Sequence, residues 1–132
     1  MAAGNLTRLD AWDAESGALN VLIETPKGGR NKFKYDPGAR LFELSKVLPH
    51  GAVFPFDFGF VPSTLGDDGD PLDVLVLMQE SAFPGCKVAC RLLGVIEAEQ
   101  TEGGETERND RLIAVAKHSQ DHAEVRSLKQ LP

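Results

Sequence analysis

The chain has 132 residues, 42% hydrophobic and 26% charged, a balance that fits one soluble globular domain with a real core and excludes disordered or fibrous classes. Its formal net charge of −6 argues against a general nucleic-acid binder, because a phosphate backbone is held by a basic face, so an anionic substrate would need help from a metal. Cys86 and Cys90 have no nearby histidine to complete a zinc site, no apolar run approaches the roughly 20 residues of a membrane span, and no signal-peptide pattern opens the chain, so a cytoplasmic location and no membrane partner are expected.

Residues 1–18 read as a flexible lead-in, with Trp12 able to pack on the body, and residues 19–132 as a single domain. From Leu19 the pattern alternates, setting Leu19, Val21 and Ile23 on one side of a strand and Asn20, Leu22 and Glu24 on the other, with Glu24 at its far end before Pro26. Lys27-Gly28-Gly29-Arg30-Asn31 is a turn, and the next segment alternates again, with Lys32 and Lys34 on one face and Phe33 and Tyr35 on the other. The two strands are expected to form a hairpin. Alone, its lysines read as a solvated basic face; beside a carboxylate-bound metal they become phosphate ligands.

A further strand is predicted over residues 40–48, with Phe42, Leu44 and Lys46 on one face and Pro49-His50-Gly51 ending it. Phe54, Phe56, Phe58 and Phe60 then occupy alternate positions of an extended segment, for which core packing is the default role and no chemistry is assigned.

The chain is organised around Asp67-Asp68-Gly69-Asp70-Pro71-Leu72-Asp73, which runs into the apolar strand 74–78. Four carboxylates within seven residues repel one another unless a cation lies among them, and all-oxygen ligands suit Mg²⁺, Mn²⁺ or Ca²⁺. Gly69 permits a tight bend and Pro71 fixes φ, so the acids sit at a rigid strand mouth. The plainer alternative is a solvated acidic turn. A calcium-binding EF-hand fails on spacing and on the strand that follows.

Phe83-Pro84-Gly85 is a turn before a long strand, 87–99; residues 100–110 form a polar, hairpin-like excursion, and 111–117 return as a strand. His118 and His122 read as surface residues, and Ser119 can cap a short helix over 120–126. Mostly strands with tight turns and little helix point to a mainly β fold, a small barrel or strongly bent sheet with a short peripheral helix.

Several pieces together resemble the soluble inorganic pyrophosphatases of the OB-fold, Mg²⁺-dependent family: Val21-Leu22-Ile23-Glu24-Thr25-Pro26, Asn31-Lys32-Phe33-Lys34-Tyr35, the aromatic run from Phe54 to Phe60, Asp68-Gly69-Asp70-Pro71-Leu72-Asp73-Val74-Leu75-Val76, and Asp110-Arg111-Leu112-Ile113-Ala114-Val115. The resemblance implies a five-stranded OB-like β-barrel that hydrolyses pyrophosphate to two phosphates with a metal-activated water, using Mg²⁺, with Mn²⁺ as a substitute. It also implies a homo-oligomer, by prior a hexamer. Carried over by position, Asp68 and Asp73 are metal ligands, Asp70 is a ligand that also deprotonates the attacking water, Glu24 lies near the outer metals, and Asp110 is a further metal-ligand candidate. Lys32, Lys34, Lys46 and Arg111 are the candidates for holding phosphate.

The sequence departs from the family pattern at Lys34, where many members have an acid, at Phe58, where many have a substrate-binding Tyr, and at Lys46, where many have Arg. Asn109 and Asp110 stand where two metal-binding aspartates are expected, and the sequence ends where the family continues into C-terminal helices. These departures support an alternative, an OB-like module that binds metal and phosphate with weak or lost turnover. Val125, Leu128 and Leu131 share roughly one face of a short helix, so the 132-residue form is expected to oligomerise through this region or to be less stable than an extended one.

Overall fold

The computed structural model describes residues 4–66, 69–97, 99–108 and 110–119. Nine strands appear in it: β1 (Leu19–Thr25), β2 (Asn31–Asp36), β3 (Leu41–Val47), β4 (Asp57–Val61), β5 (Leu72–Leu77), β6 (Lys87–Ile96), β7 (Glu99–Glu102), β8 (Glu105–Arg108) and β9 (Arg111–Ala116). Five of them close a barrel in the order β1-β4-β5-β9-β6, while β2-β3 and β7-β8 form separate two-stranded sheets. The mainly β, five-stranded barrel expected from the sequence is the architecture found. The helix expected over 120–126, with His122, Val125, Leu128 and Leu131, lies outside the described residues.

Period-two alternation builds the interior. Leu19, Val21 and Ile23 of β1 meet Val61, Val74, Val76, Val88, Cys90, Ala114 and Ala116 in one apolar cluster, and the opposite face of β1 is covered as well, with Leu22 packed against Tyr35 and Phe60. β1 is buried on both sides because β2 lies over its outer face; burying one such aliphatic side chain contributes about 1.5–3 kcal/mol.

β1 and β4 approach too closely for any side chain at Gly59. A Cβ there would stand 2.1 Å from the carbonyl oxygen of Leu22. The parallel pair in the barrel is β5 with β9, which sets Asp73 beside Arg111 and Val74 beside Leu112.

The expected hairpin of β1 with β2 does not form. β1 pairs with β4 and β6, and the hairpin is β2 with β3. Side chains replace the ladder between β1 and β2: the Thr25 hydroxyl donates to the Phe33 carbonyl (2.8 Å) and accepts from the Phe33 N–H (3.0 Å). The four-Phe run also differs from a uniform core stripe. Phe60 is buried, Phe54 and Phe58 make an edge-to-face pair at 5.6 Å, and Phe56 is exposed.

Candidate active site

A cleft of about 420 Å³ opens where the ends of β1, β4, β5 and β9 meet the β2-β3 sheet. Six of the ionisable residues singled out from the sequence line it: Glu24, Lys32, Lys34, Asp70, Asp73 and Arg111. They come from four separate parts of the chain.

The acidic side is built on a stiff turn. Gly69 takes φ +85°, its N–H donates to the Gly66 carbonyl at 3.0 Å, and the Gly66 N–H donates to the Asp70 carbonyl at 2.7 Å. Thr64 closes the loop base, its hydroxyl donating to the Val61 carbonyl (2.6 Å) and accepting from the Leu72 N–H (2.9 Å). The bend therefore delivers Asp70 and Asp73 to the cleft from a pinned backbone, as the Gly-Asp-Pro spacing predicts. Asp68 lies outside the described residues, as do Asp67 and Asn109.

Glu24 sits at the end of β1, partly buried, with its carboxylate accepting the Tyr35 N–H at 2.8 Å. Burial holds this carboxyl above the usual carboxylate range against the pull of that N–H, and the charge of Asp73 adds to the rise. Two acids competing for charge in a drying cleft are what a cation would relieve.

The basic side is the β2-β3 sheet. Lys32 and Lys34 alternate with Phe33 and Tyr35 along β2, as the period predicts, and both lysines reach the cleft. Lys46 stands directly opposite Lys32 in the β2-β3 register, is exposed, and does not line the cleft. Like charges directly opposite on a sheet repel, so an anion near that pair is favoured. Asp110 is half-buried at the entrance to β9 and also stays off the lining, whereas its neighbour Arg111 is on it.

Several features escaped the sequence reading. Thr7, from the lead-in, lines the cleft, as do Phe54 and Tyr35; Phe58, which the resemblance sets where many members have a substrate-binding Tyr, lines it as well. Alternation put the aromatics on one face, but nothing in that pattern distinguishes a cleft wall from a core. Asp57 is fully buried, its carboxyl accepting from Lys27 N–H (2.6 Å), Ser81 Oγ (2.8 Å) and Ala82 N–H (3.0 Å). Its signal was its parity: Asp57 shares the inward positions with Gly59 and Val61. It lashes two loops to the start of β4, with Lys27 Nζ adding bonds to the carbonyls of Met78 and Gln79.

Among the described residues no three acidic, histidine or cysteine side chains converge on one point. Mg²⁺ does not require them to, since it binds through one or two carboxylates and completes its sphere with water and substrate phosphate oxygens. Hard oxygen donors (Glu24, Asp70, Asp73) and fixed cations (Lys32, Lys34, Arg111) around one cleft suit a compact polyanion bound with a divalent ion.

A family model described as inorganic pyrophosphatase matches residues 21–132. The inorganic pyrophosphatase of Synechocystis is 38% identical over 127 residues, covering 96% of this chain and 72% of the relative. That of Thermus thermophilus is 36% identical over 128 residues, covering 97% and 71%. The crystal structure of the Thermus thermophilus inorganic pyrophosphatase superposes with a TM-score of 0.87 at 35% identity, covering 98% of this chain and 72% of that one.

Proposed function

The chain belongs to the inorganic pyrophosphatase family, and from that membership we propose that it hydrolyses pyrophosphate to two phosphates with Mg²⁺ as cofactor and Mn²⁺ as a substitute. It is an inorganic diphosphatase, acting in the cytoplasm as a homo-oligomer. The observation that carries the reading is the cleft itself, which gathers Glu24, Asp70 and Asp73 with Lys32, Lys34 and Arg111.

The raised Glu24 carboxyl beside Asp73 fits a cation-binding wall, so Glu24, Asp70 and Asp73, with Asp68 and Asp110, are the residues assigned to hold the metal. When bound, the divalent ion supplies charge neutralisation and a more acidic water. Lys32, Lys34 and Arg111 hold the phosphoryl oxygens, joined by Lys46 at the outer edge. Arg111 offers a planar fork of donors matched to two of those oxygens, whereas the lysines act as point charges.

The attacking water forms a new P–O bond as the bridging P–O bond on the opposite side of that phosphorus breaks. One of its protons stays on the new phosphate and the other passes through Asp70 to the departing one. Charge grows on the departing oxygen in the transition state, and fixed cations aimed there lower the barrier without reorganising.

Phosphate release from pyrophosphate should appear with Mg²⁺ and disappear with EDTA, and Asp70→Asn should cost about 10²–10⁴ in kcat, the usual worth of a positioned proton acceptor. Pyrophosphate that binds with Mg²⁺ in a calorimeter but releases no phosphate would identify a binding module instead. The assembly is supported by exposed apolar residues on β3 and β6, including Leu44, Val47 and Val95 at 57%, 51% and 48% exposure. A light-scattering mass of one protomer would refute it.

A further inference from the structure

The lysines and the carboxylates of the cleft belong to different sheets. Lys32 and Lys34 ride on β2, which pairs only with β3, while Asp73 and Arg111 ride on the closed barrel. The width of the cleft is therefore not fixed by a continuous ladder: the Thr25 and Glu24 side chains tie β2 to β1, and a second tie reaches from the lead-in to the loop that carries Asp70.

The lead-in touches both walls. Asn5 caps a single 3-10 turn over Leu6–Arg8, its side-chain oxygen accepting from the Thr7 N–H (3.0 Å) and the Thr7 hydroxyl (2.7 Å). On the basic side, the Leu6 N–H donates to the Tyr35 hydroxyl at 3.0 Å, and Leu6 packs against the Leu22, Tyr35 and Phe60 cluster. On the acidic side, the Thr7 carbonyl accepts from the Ser63 N–H at 2.7 Å and the Leu9 carbonyl from the Ser63 hydroxyl at 2.6 Å. Ser63 stands just ahead of the loop that carries Asp70, at φ +56°. A non-glycine residue holds that conformation only where its surroundings fix it, and here both of its donors are committed to the lead-in. The far end of the segment is anchored to β1, where Asn20 bonds the carbonyls of Asp10 and Ala11.

We propose that residues 5–9 are a brace, with Tyr35 and Ser63 as positioning residues, that fixes the gap between the phosphate-holding lysines and the acidic mouth. Its bearing on turnover rests on the pyrophosphatase reading above; its mechanical part does not. A rigid brace couples its two ends, so loosening one end must loosen the other, and the coupling is reciprocal. A segment that merely packs on the surface would transmit nothing.

The test uses the full chain carrying Tyr35→Phe or Ser63→Ala, with amide hydrogen exchange as the first readout. In Tyr35→Phe the Ser63 amide, which bonds the Thr7 carbonyl, should exchange about tenfold faster; in Ser63→Ala the Leu6 amide, which bonds the Tyr35 hydroxyl, should do the same. Exchange that changes only on the mutated side overturns the brace, whether or not the protein turns over pyrophosphate. The second readout is kcat/KM for pyrophosphate with Mg²⁺, well below the melting temperature. Each single variant should lower it about tenfold, and the double variant should fall little further, because both cuts release the same brace. Losses that multiply, or an unchanged kcat/KM in both single variants, would overturn the link to the site. An inactive wild-type protein would sink the pyrophosphatase reading and leave the exchange result to decide the brace.

Discussion

Replacing Gly59 by alanine should open the barrel at its tightest seam. The added Cβ would stand 2.1 Å from the Leu22 carbonyl oxygen, 2.9 Å from its carbon and 3.1 Å from the Ile23 Cα, all backbone atoms with no rotamer to yield. Ordinary contact begins at 3.4 Å, so the strands must part by more than an ångström. A ladder bond of about 2.9 Å stretched that far leaves the bonding range. The β1-β4 register pairs Leu22 with Phe60 and Ile23 with Gly59, and a closed barrel has no free edge through which to shed the displacement. Losing two or three backbone bonds at about 1 kcal/mol each, with the strain left over, gives about 3–5 kcal/mol against a total of about 5–15 kcal/mol for a domain. Thermal melting followed by circular dichroism should show a drop of about 10–20 °C for a chain of this size. A melting temperature within about 3 °C of wild type would mean that β1 and β4 are not held as close as described here.

Asp57→Ala should cost about 3–5 kcal/mol in urea titration, because three donors lose a buried acceptor at once; a loss under 1 kcal/mol would show that those loops do not depend on it. The Glu24 carboxyl is held above its usual range in the folded state, so the folded chain binds more protons than the unfolded one between the two values and stability falls as pH rises through that window. Metal-free Glu24→Gln should therefore be more stable than wild type at pH 7, with the difference closing below about pH 4; a variant equal to or weaker than wild type at pH 7 in EDTA would contradict the assignment. Burial pushes the Cys90 thiol up to about 12, so it stays protonated and shielded, and an aromatic disulfide reagent should titrate Cys86 in the native protein but Cys90 only after denaturant.

Strands were legible where alternation has one reading. Leu19, Val21 and Ile23 against Glu24, and Lys32 and Lys34 against Phe33 and Tyr35, announce both the elements and their faces. The acidic turn was legible too, because crowded carboxylates are costly enough to demand a reason and Gly69 with Pro71 says how the backbone bends. Pairing was not. Adjacent strands joined by a glycine turn suggest a hairpin, yet β2 turns away to β3 because Thr25 and Glu24 satisfy β2 backbone groups from their side chains. The parallel register that sets Asp73 beside Arg111 depends on strands far apart in the chain, and no local pattern encodes it. The role of Tyr35 was hidden for a similar reason: its hydroxyl is used by Leu6, 29 positions away, which an alternating aromatic cannot disclose.

The closure of the barrel also bears on how the chain reaches its native state. β1 meets β6 through Leu19 and Cys90, and β5 meets β9 through Asp73 and Arg111, so the ring is completed by contacts of long sequence separation. Such contacts are formed only after the entropy of large loops has been given up, which makes folding slow for the size of the chain. Asp73 of β5 and Arg111 of β9 come together in that same late event. A partly folded chain holds Asp70 near Asp73 but not Arg111, so the charge pattern of the cleft is incomplete until the ring closes. Recovery of hydrolysis after dilution from denaturant should then lag behind recovery of the β2-β3 sheet, and the lag measures the time taken to close the ring.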